Sequence, residues 1–94
     1  MHATIRSYTS DGGLVDALVA KQDEVRDLLG SIDGFRAYYV LRTPDGGAVS
    51  ISVYDDASGT DASNAAAAGW VRDNLPSLAA SPPQTTAGEV ALSF

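Results

Sequence analysis

The sequence contains no cysteine among its 94 residues. Disulfide bonds and thiolate metal sites are therefore excluded, and a reducing, cytoplasmic location is permitted. Histidine is nearly absent as well, since His2 is the only one, and the aspartates of residues 55–61 match no calcium-loop spacing. We therefore expect neither a metal nor a cofactor.

Basic residues and long apolar runs are also scarce. Six basic residues face twelve acidic ones, which gives a formal net charge of −6. Such a surface repels phosphate backbones and anionic membranes. No apolar run approaches the roughly 18 residues of a spanning helix, and the first residues lack the basic and apolar regions of a signal peptide. We expect a soluble, cytoplasmic protein that binds neither nucleic acid nor membranes.

The most informative stretch is residues 35–56, which reads as two strands joined by a turn at residues 43–47 (TPDGG). It lies between two helical segments, with a first strand over residues 2–8 and a last strand over residues 85–94. The order βαββαβ predicts one ferredoxin-like domain, an antiparallel four-stranded sheet with both helices on one face. The other face needs a cover, and a second copy of the chain is the expected one. We predict a homodimer.

The first helix is predicted from Leu14 onward because apolar residues recur there at helical spacing. The recurring positions are Leu14, Leu18, Val25, Leu28 and Ile32. Ser10 or Asp11 can cap the free amides at its start, and Gly30 has the backbone freedom that is usual just past a helix end. The spacing predicts one continuous amphipathic helix.

The second helix is predicted to begin at Thr60 or Asp61, after a loop. It continues through the alanines at 65–68, which are strong helix formers. It ends at Leu75, because the residue before Pro76 avoids the helical region.

The third strand, residues 48–54, alternates strictly. Val49, Ile51 and Val53 share one face, and Ser50, Ser52 and Tyr54 share the other. The second face is small and polar enough to border a cavity. The second strand has apolar residues on both of its faces, so we expect both faces to be covered.

Three features together resemble a known family: the step Gly34-Phe35-Arg36-Ala37-Tyr38 into the second strand, the DGG turn, and Trp70 late in the second helix. The sequence resembles the dimeric α/β-barrel proteins related to antibiotic biosynthesis monooxygenases, over almost its whole length. In that family two copies pack sheet against sheet, and each subunit keeps a small-molecule pocket between its own sheet and helices. The resemblance implies that fold and that pocket.

Activities in that family include cofactor-free oxidation of aromatic polyketides and oxidative opening of haem. The haem-degrading branch uses an asparagine on the first strand and a histidine on the second helix. This sequence has neither, so haem chemistry is not expected. Trp70 matches in kind the tryptophan that lines the pocket in both branches.

Candidate catalytic residues are Trp70, Asn74 and His2. Trp70 and Asn74 are four residues apart on one helix flank, where they could supply an indole wall and an amide donor to a flat aromatic ligand. The alternative is that Trp70 packs at a helix contact and Asn74 lies near the fraying helix end. His2 is the formal candidate for a general base because the resting pKa of histidine is near neutral, although a residue at position two of a chain is often frayed.

Seven further residues are candidates for the pocket: Arg6, Tyr8, Arg36, Tyr38, Tyr39, Tyr54 and Asn64. The tyrosines could donate to a developing oxyanion, or they could be core or interface residues. Arg6 and Arg36 could orient an anionic substrate. Alternatively, each lays its stem on apolar surface with its charged head in water.

Two functions remain open from the sequence. The first is a cofactor-independent, monooxygenase-like enzyme that acts on an aromatic or polyketide-like molecule. The second is a non-catalytic ligand-binding or structural dimer that keeps the barrel. The sequence contains no motif that chooses between them.

Overall fold

Eight elements follow one another along the chain, and the computed structural model describes all 94 residues. They are β1 (His2–Tyr8), α1 (Leu14–Ala20), α2 (Gln22–Gly30), β2 (Phe35–Arg42), β3 (Ala48–Tyr54), α3 (Ala57–Asn74), α4 (Pro76–Ala79) and β4 (Gln84–Glu89). The strands form one antiparallel sheet in the order β2-β3-β1-β4. The helices pack on one face of it, which confirms the predicted ferredoxin-like βαββαβ fold. None of the helices combines the length and hydropathy needed to cross a membrane.

The first helical segment differs from the prediction, because it is two helices rather than one. The chain breaks at Lys21, whose backbone angles are φ −114° and ψ 32°. The apolar stripe has no member at Lys21 or Gln22, and both are exposed, so no packing holds a continuous helix there. The predicted cap is confirmed, since Asp11 Oδ1 accepts a hydrogen bond from the Val15 amide at 2.9 Å. Gly30 is the last residue of α2 instead of lying beyond it.

The second helical segment begins earlier than predicted. Asp56 is its N-cap, and its carboxylate accepts a hydrogen bond from the Gly59 amide at 3.3 Å. The prediction of a start at Thr60 or Asp61 was therefore wrong by one turn. A glycine lies in the first turn of the helix, and its low helix propensity makes that turn resemble a loop in the sequence. After Asn74 the chain turns at Leu75 and begins the short helix α4, which was not predicted.

The last strand is shorter than predicted, ending at Glu89 instead of Phe94. The register explains the difference, since Glu89 lies opposite His2 on β1 and the Val90 amide bonds the Met1 carbonyl. The remaining residues leave the sheet, and Leu92 is 79% exposed.

The two faces of the sheet have opposite character. The face under the helices carries Thr4, Arg6, Tyr8, Ser50, Ser52 and Tyr54, all buried. This confirms the alternation predicted for β3. The opposite face, which we call the open face, is covered by nothing in the single chain. Its residues are Ala3, Ile5, Ser7, Ala37, Tyr39, Leu41, Val49, Ile51, Val53, Gln84, Thr86 and Gly88.

The expectation that both faces of β2 are covered therefore fails within one chain, where Tyr39 is 59% and Leu41 49% exposed. The main apolar core lies on the other side, between the sheet and the helices. It includes Leu14, Leu18, Val25, Leu29, Trp70 and Val71.

The start of α3 lies unusually close to the end of β3. A Cβ atom added at Gly59 would lie 2.7 Å from the Tyr54 Cβ, closer than real side chains approach. The Tyr54 ring has no freedom to move away, because it is fully buried and its hydroxyl donates to the Leu29 carbonyl at 2.8 Å. Glycine at position 59 thus lets α3 pack directly on the sheet.

We therefore expect Gly59→Ala to lower the free energy of unfolding by about 1–3 kcal/mol, the usual cost of overpacking. Gly69→Ala in the same helix is the matched control, since its new Cβ would meet only the mobile end of Arg72 at 3.5 Å. It should be neutral or stabilise the helix by up to about 1 kcal/mol. Urea unfolding of both variants measures the difference, and equal stabilities would contradict the close packing of α3 on β3.

Candidate functional site

A small pocket lies between the sheet and the helices, and we call it the inner pocket. Its sheet side is formed by Arg6, Tyr8, Tyr38 and Ser50, and its helix side includes Leu18, Leu29 and Trp70. Its free volume is about 20 Å³, room for a single water molecule. The inner pocket is thus a nearly closed space with an apolar roof and a polar floor.

A wider groove lies beside the inner pocket at the surface, and we call it the outer groove. The two spaces share Leu18, Val25, Leu29 and Tyr38. The groove is further lined by Phe35 and Val40 of β2, and it holds about 390 Å³. This volume is within the usual range of small-molecule sites. A ligand of a few rings therefore fits the outer groove, where Tyr38 borders both the ligand and the inner pocket.

Arg6 is the only charged side chain in the wall of the inner pocket, and it is 3% exposed. Its guanidinium donates to Asn64 Oδ1 at 2.6 Å and to Ser52 Oγ at 3.0 Å. Asn64 Oδ1 also accepts from the Thr4 hydroxyl at 3.1 Å. Strand alternation places Arg6 on the face under the helices, so the interpretation with its charged head in water is wrong for this residue.

Tyr8 and Tyr38 also line the inner pocket. Burial raises the pKa of both phenols, and the positive charge of Arg6 opposes the rise. Ser50 Oγ lies near the Tyr38 phenol but has no hydrogen bond of good geometry to any group. The polar floor therefore consists of two protonated phenols, one guanidinium and one unpartnered hydroxyl.

The two other candidate tyrosines lie elsewhere. Tyr54 is fully buried, bonds the Leu29 carbonyl and packs edge-on against Phe35 with ring centroids 5.7 Å apart. It is a packing residue and does not line the inner pocket or the outer groove. Tyr39 is on the open face, on the other side of the sheet. Both differ from their prediction as pocket residues. Alternation separates Tyr39 from Tyr8 and Tyr38, whereas Tyr54 shares their face but lies at the other end of the β1–β3 pair, opposite His2.

Trp70 and Asn74 line one surface cleft together, but only Trp70 also lines the inner pocket. The Trp70 ring is 7% exposed and lines the inner pocket, and its indole N–H donates to Glu24 Oε1 at 3.3 Å. Asn74 instead donates to the Trp70 carbonyl at 2.9 Å and accepts from Lys21 Nζ at 2.6 Å. It lies in a surface cleft, so its predicted role as an amide donor in the pocket is corrected.

His2 and Arg36 are also outside the pocket. His2 belongs to β1 opposite Tyr54 and Glu89, so it is not frayed, but it is at the far end of the strand from Tyr8. Arg36 sits at a register irregularity of β2 and forms a half-exposed ion pair with Asp55. Neither residue lines the inner pocket or the outer groove, and the pocket wall contains no histidine or carboxylate.

Three residues that contact the site were not among the predicted candidates, namely Ser50, Ser52 and Glu24. The sequence did show the small polar face of β3, but it did not show the register that places Ser50 directly opposite Arg6. Glu24 contacts the indole from α2, across the helix layer. No group of three or more histidine, aspartate or glutamate side chains is arranged to hold a metal ion.

No protein-family model and no curated protein sequence matches the chain. Several solved structures do. One from Bordetella bronchiseptica, named for antibiotic biosynthesis monooxygenases, has a TM-score of 0.70 at 17% identity, covering 97% of each chain. The monooxygenase ActVA-Orf6 of Streptomyces coelicolor, solved with nanaomycin D, has a TM-score of 0.68 at 14% identity, covering 99% of this chain and 89% of the other.

The cofactor-independent oxygenase SnoaB of Streptomyces nogalater has a TM-score of 0.59 at 16% identity, covering 99% of this chain and 94% of the other. A Nitrosomonas europaea protein of unknown function is similar to the chain as well. The sequence identities are low, and these structures share with the chain its architecture over its whole length. The chain has the fold of the antibiotic biosynthesis monooxygenase structures.

Proposed function

We propose that the chain is a small-molecule-binding homodimer that acts in the cytoplasm as a cofactor-independent monooxygenase on an aromatic or polyketide-like substrate. The observation that carries this proposal is the inner pocket, where Trp70 and aliphatic side chains face Arg6, Tyr8 and Tyr38 across a space that holds a single water molecule. The likeness to ActVA-Orf6 and SnoaB supports the same reaction class.

The chemistry asks little of the protein. In this reaction class the deprotonated substrate itself reduces oxygen, so the site must exclude water and stabilise negative charge on the substrate oxygen. Trp70 supplies an apolar wall of the inner pocket, next to the reacting oxygen. Tyr8 and Tyr38 supply hydroxyl donors, and Arg6 supplies a fixed positive charge in a medium of low dielectric constant. His2 and Asn74 have no part in this proposal, because neither reaches the pocket.

We expect the purified, metal-stripped protein to consume oxygen with at least one member of a panel of phenols and quinols. Tyr38→Phe should lower kcat by about 100-fold, the usual effect of removing one oxyanion donor. Tyr39→Phe is the matched control, since it removes the same hydroxyl from the open face and should leave kcat unchanged. An oxygen electrode measures both, and no uptake with any panel member would overturn the enzymatic proposal.

A second candidate is a ligand-binding dimer without catalysis. The observation that favours it is the pocket wall itself, which contains no histidine or carboxylate to act as a general base. Trp70 is the only tryptophan, so its fluorescence reports on the inner pocket and on the surface cleft beside Asn74. A ligand that shifts this emission while no substrate consumes oxygen would favour the second candidate.

The proposed dimer forms through the open face. None of the residues of that face carries a charge, and Ile5, Tyr39 and Leu41 are between 38% and 59% exposed. An apolar, uncharged surface of this extent on a small chain is typical of a protein interface. A twofold pairing of the same face on both copies would bury it.

We expect the protein to sediment as a dimer at micromolar concentration, and Ile51→Lys to convert it to a monomer. Ile51 lies at the centre of the open face, opposite both Ile5 and Tyr39, so each dimer would bury two unpaired charges. Val19→Lys is the matched control, because Val19 is 57% exposed on α1, on the other side of the sheet. A parent protein that sediments as a monomer would refute the proposed dimer.

A further inference from the structure

The charge of Arg6 has no counter-ion. Each of the four other arginines lies within 4 Å of an aspartate carboxylate, although all four are at the surface. Arg6 is buried, yet its partners are all neutral: its hydrogen bonds of good geometry go to Asn64 and Ser52, and the Tyr38 phenol lies beside it. These bonds use two of the five N–H donors of a guanidinium. A buried charge costs several kcal/mol unless it is paired, so the missing partner requires an explanation.

Ser50 points to the same space. It is 3% exposed, it lies directly opposite Arg6 in the β1–β3 register, and its hydroxyl is buried without a hydrogen-bond partner. It also lines the inner pocket beside Tyr38. A buried polar group without a partner is costly in the ligand-free protein. A guanidinium, a phenol and a hydroxyl therefore converge on one pocket that contains no acceptor charge.

The pocket also has no group that could take a proton from a ligand. The titratable side chains in its wall are Arg6, Tyr8 and Tyr38. An arginine stays protonated in proteins, and a phenol is protonated at neutral pH. A neutral acid that entered the pocket would thus find a positive charge but no base.

We propose that the inner pocket is an anion site that binds the ionised oxygen of a planar aromatic acid, and that this ligand enters already as its anion. The inference rests on the proposed function, since it names the form in which the substrate of that site is bound. Arg6, the Ser50 hydroxyl and the Tyr38 phenol donate to the oxyanion. The aromatic rings lie in the outer groove between Leu18, Leu29 and Phe35.

Two naphthoquinones of the same skeleton test the proposal by calorimetry at neutral pH. 2-Hydroxy-1,4-naphthoquinone ionises to a delocalised enolate, whereas 1,4-naphthoquinone stays neutral and finds no cysteine to alkylate. We expect the enolate to bind at least about tenfold more tightly than the neutral quinone, a difference of about 1.4 kcal/mol. 2-Naphthoate, run in parallel, tells whether a carboxylate serves as well as an enolate.

Arg6→Met keeps an apolar stem and removes the charge, so it should abolish the preference for the anion. Arg6→Lys keeps the charge and should retain part of the preference. Arg36→Met is the matched control, because it removes an exposed arginine from the same sheet and should leave the preference intact.

A measurement on the parent protein covers the case in which Arg6→Met does not fold. Lowering the pH through the pKa of the hydroxyquinone should remove its advantage, while the affinity for 1,4-naphthoquinone stays constant. The titratable groups that face Arg6 are the phenols Tyr8, Tyr38 and Tyr54, all protonated over that range. The other charged groups beside the two spaces are Glu24, which accepts from Trp70, and Arg26, which lines the outer groove and pairs with Asp23. Constant affinity for 1,4-naphthoquinone controls for their titration, so the change reports on the ligand.

Equal affinities for the two quinones, binding of neither, or a preference that survives Arg6→Met would each overturn the anion site. These outcomes differ from failure of the proposed function. Enolate binding without oxygen uptake by any panel member overturns the oxygenase and leaves the anion site standing. Oxygen uptake from substrates that bind equally well as neutral molecules overturns the anion site alone.

Discussion

One buried guanidinium is the feature of the interior on which this account depends. Arg6 on β1 bonds Ser52 on β3 and Asn64 on α3, so a single side chain links two central strands to the long helix above them. Thr4 adds a bond to the same amide oxygen. An aliphatic side chain of similar volume would fill this space at a smaller desolvation cost. The arrangement is therefore better explained by what the charge binds than by what it adds to stability.

The two faces of the sheet have the reverse of the polarity expected for a protein that is stable as a monomer. Its polar and small residues, such as Ser50 and Ser52, face the helices, and its aliphatic residues, such as Val49 and Ile51, face outward. A sheet with one wet face ordinarily has the reverse pattern. The inversion has a single explanation if the helix side surrounds a ligand pocket and the outer side meets a second sheet. The pocket and the dimer are thus two consequences of the same alternation.

The sequence predicted the architecture well because strand alternation and turn residues act locally. The hairpin at residues 43–47 and the alternation of β3 were sufficient for the order of elements. The break at Lys21 and the early end of β4 were not predicted because both depend on tertiary structure. The break occurs where the apolar stripe that packs on the core is interrupted, and β4 ends opposite the first residue of β1.

The site was predicted only in part, for a similar reason. Residue type alone marks Arg6, Tyr8, Tyr38 and Trp70 as able to bind an aromatic ligand, and all four line the inner pocket. Strand alternation cannot show which of Tyr38 and Tyr39 faces the pocket, since β2 carries apolar residues on both faces. Asn74 was misplaced because a side chain near a helix end can bond its own backbone.

The most direct test of the account is the free energy of unfolding of Arg6→Met without ligand. If Arg6 is retained for binding, removing an uncompensated buried charge leaves the ligand-free protein at least as stable as the parent. If Arg6 is instead a structural residue whose bonds hold the sheet to α3, the substitution lowers the free energy of unfolding by about 1–3 kcal/mol, the usual cost of leaving a buried acceptor without its donor. The first result is the one we predict, and the second would contradict the account.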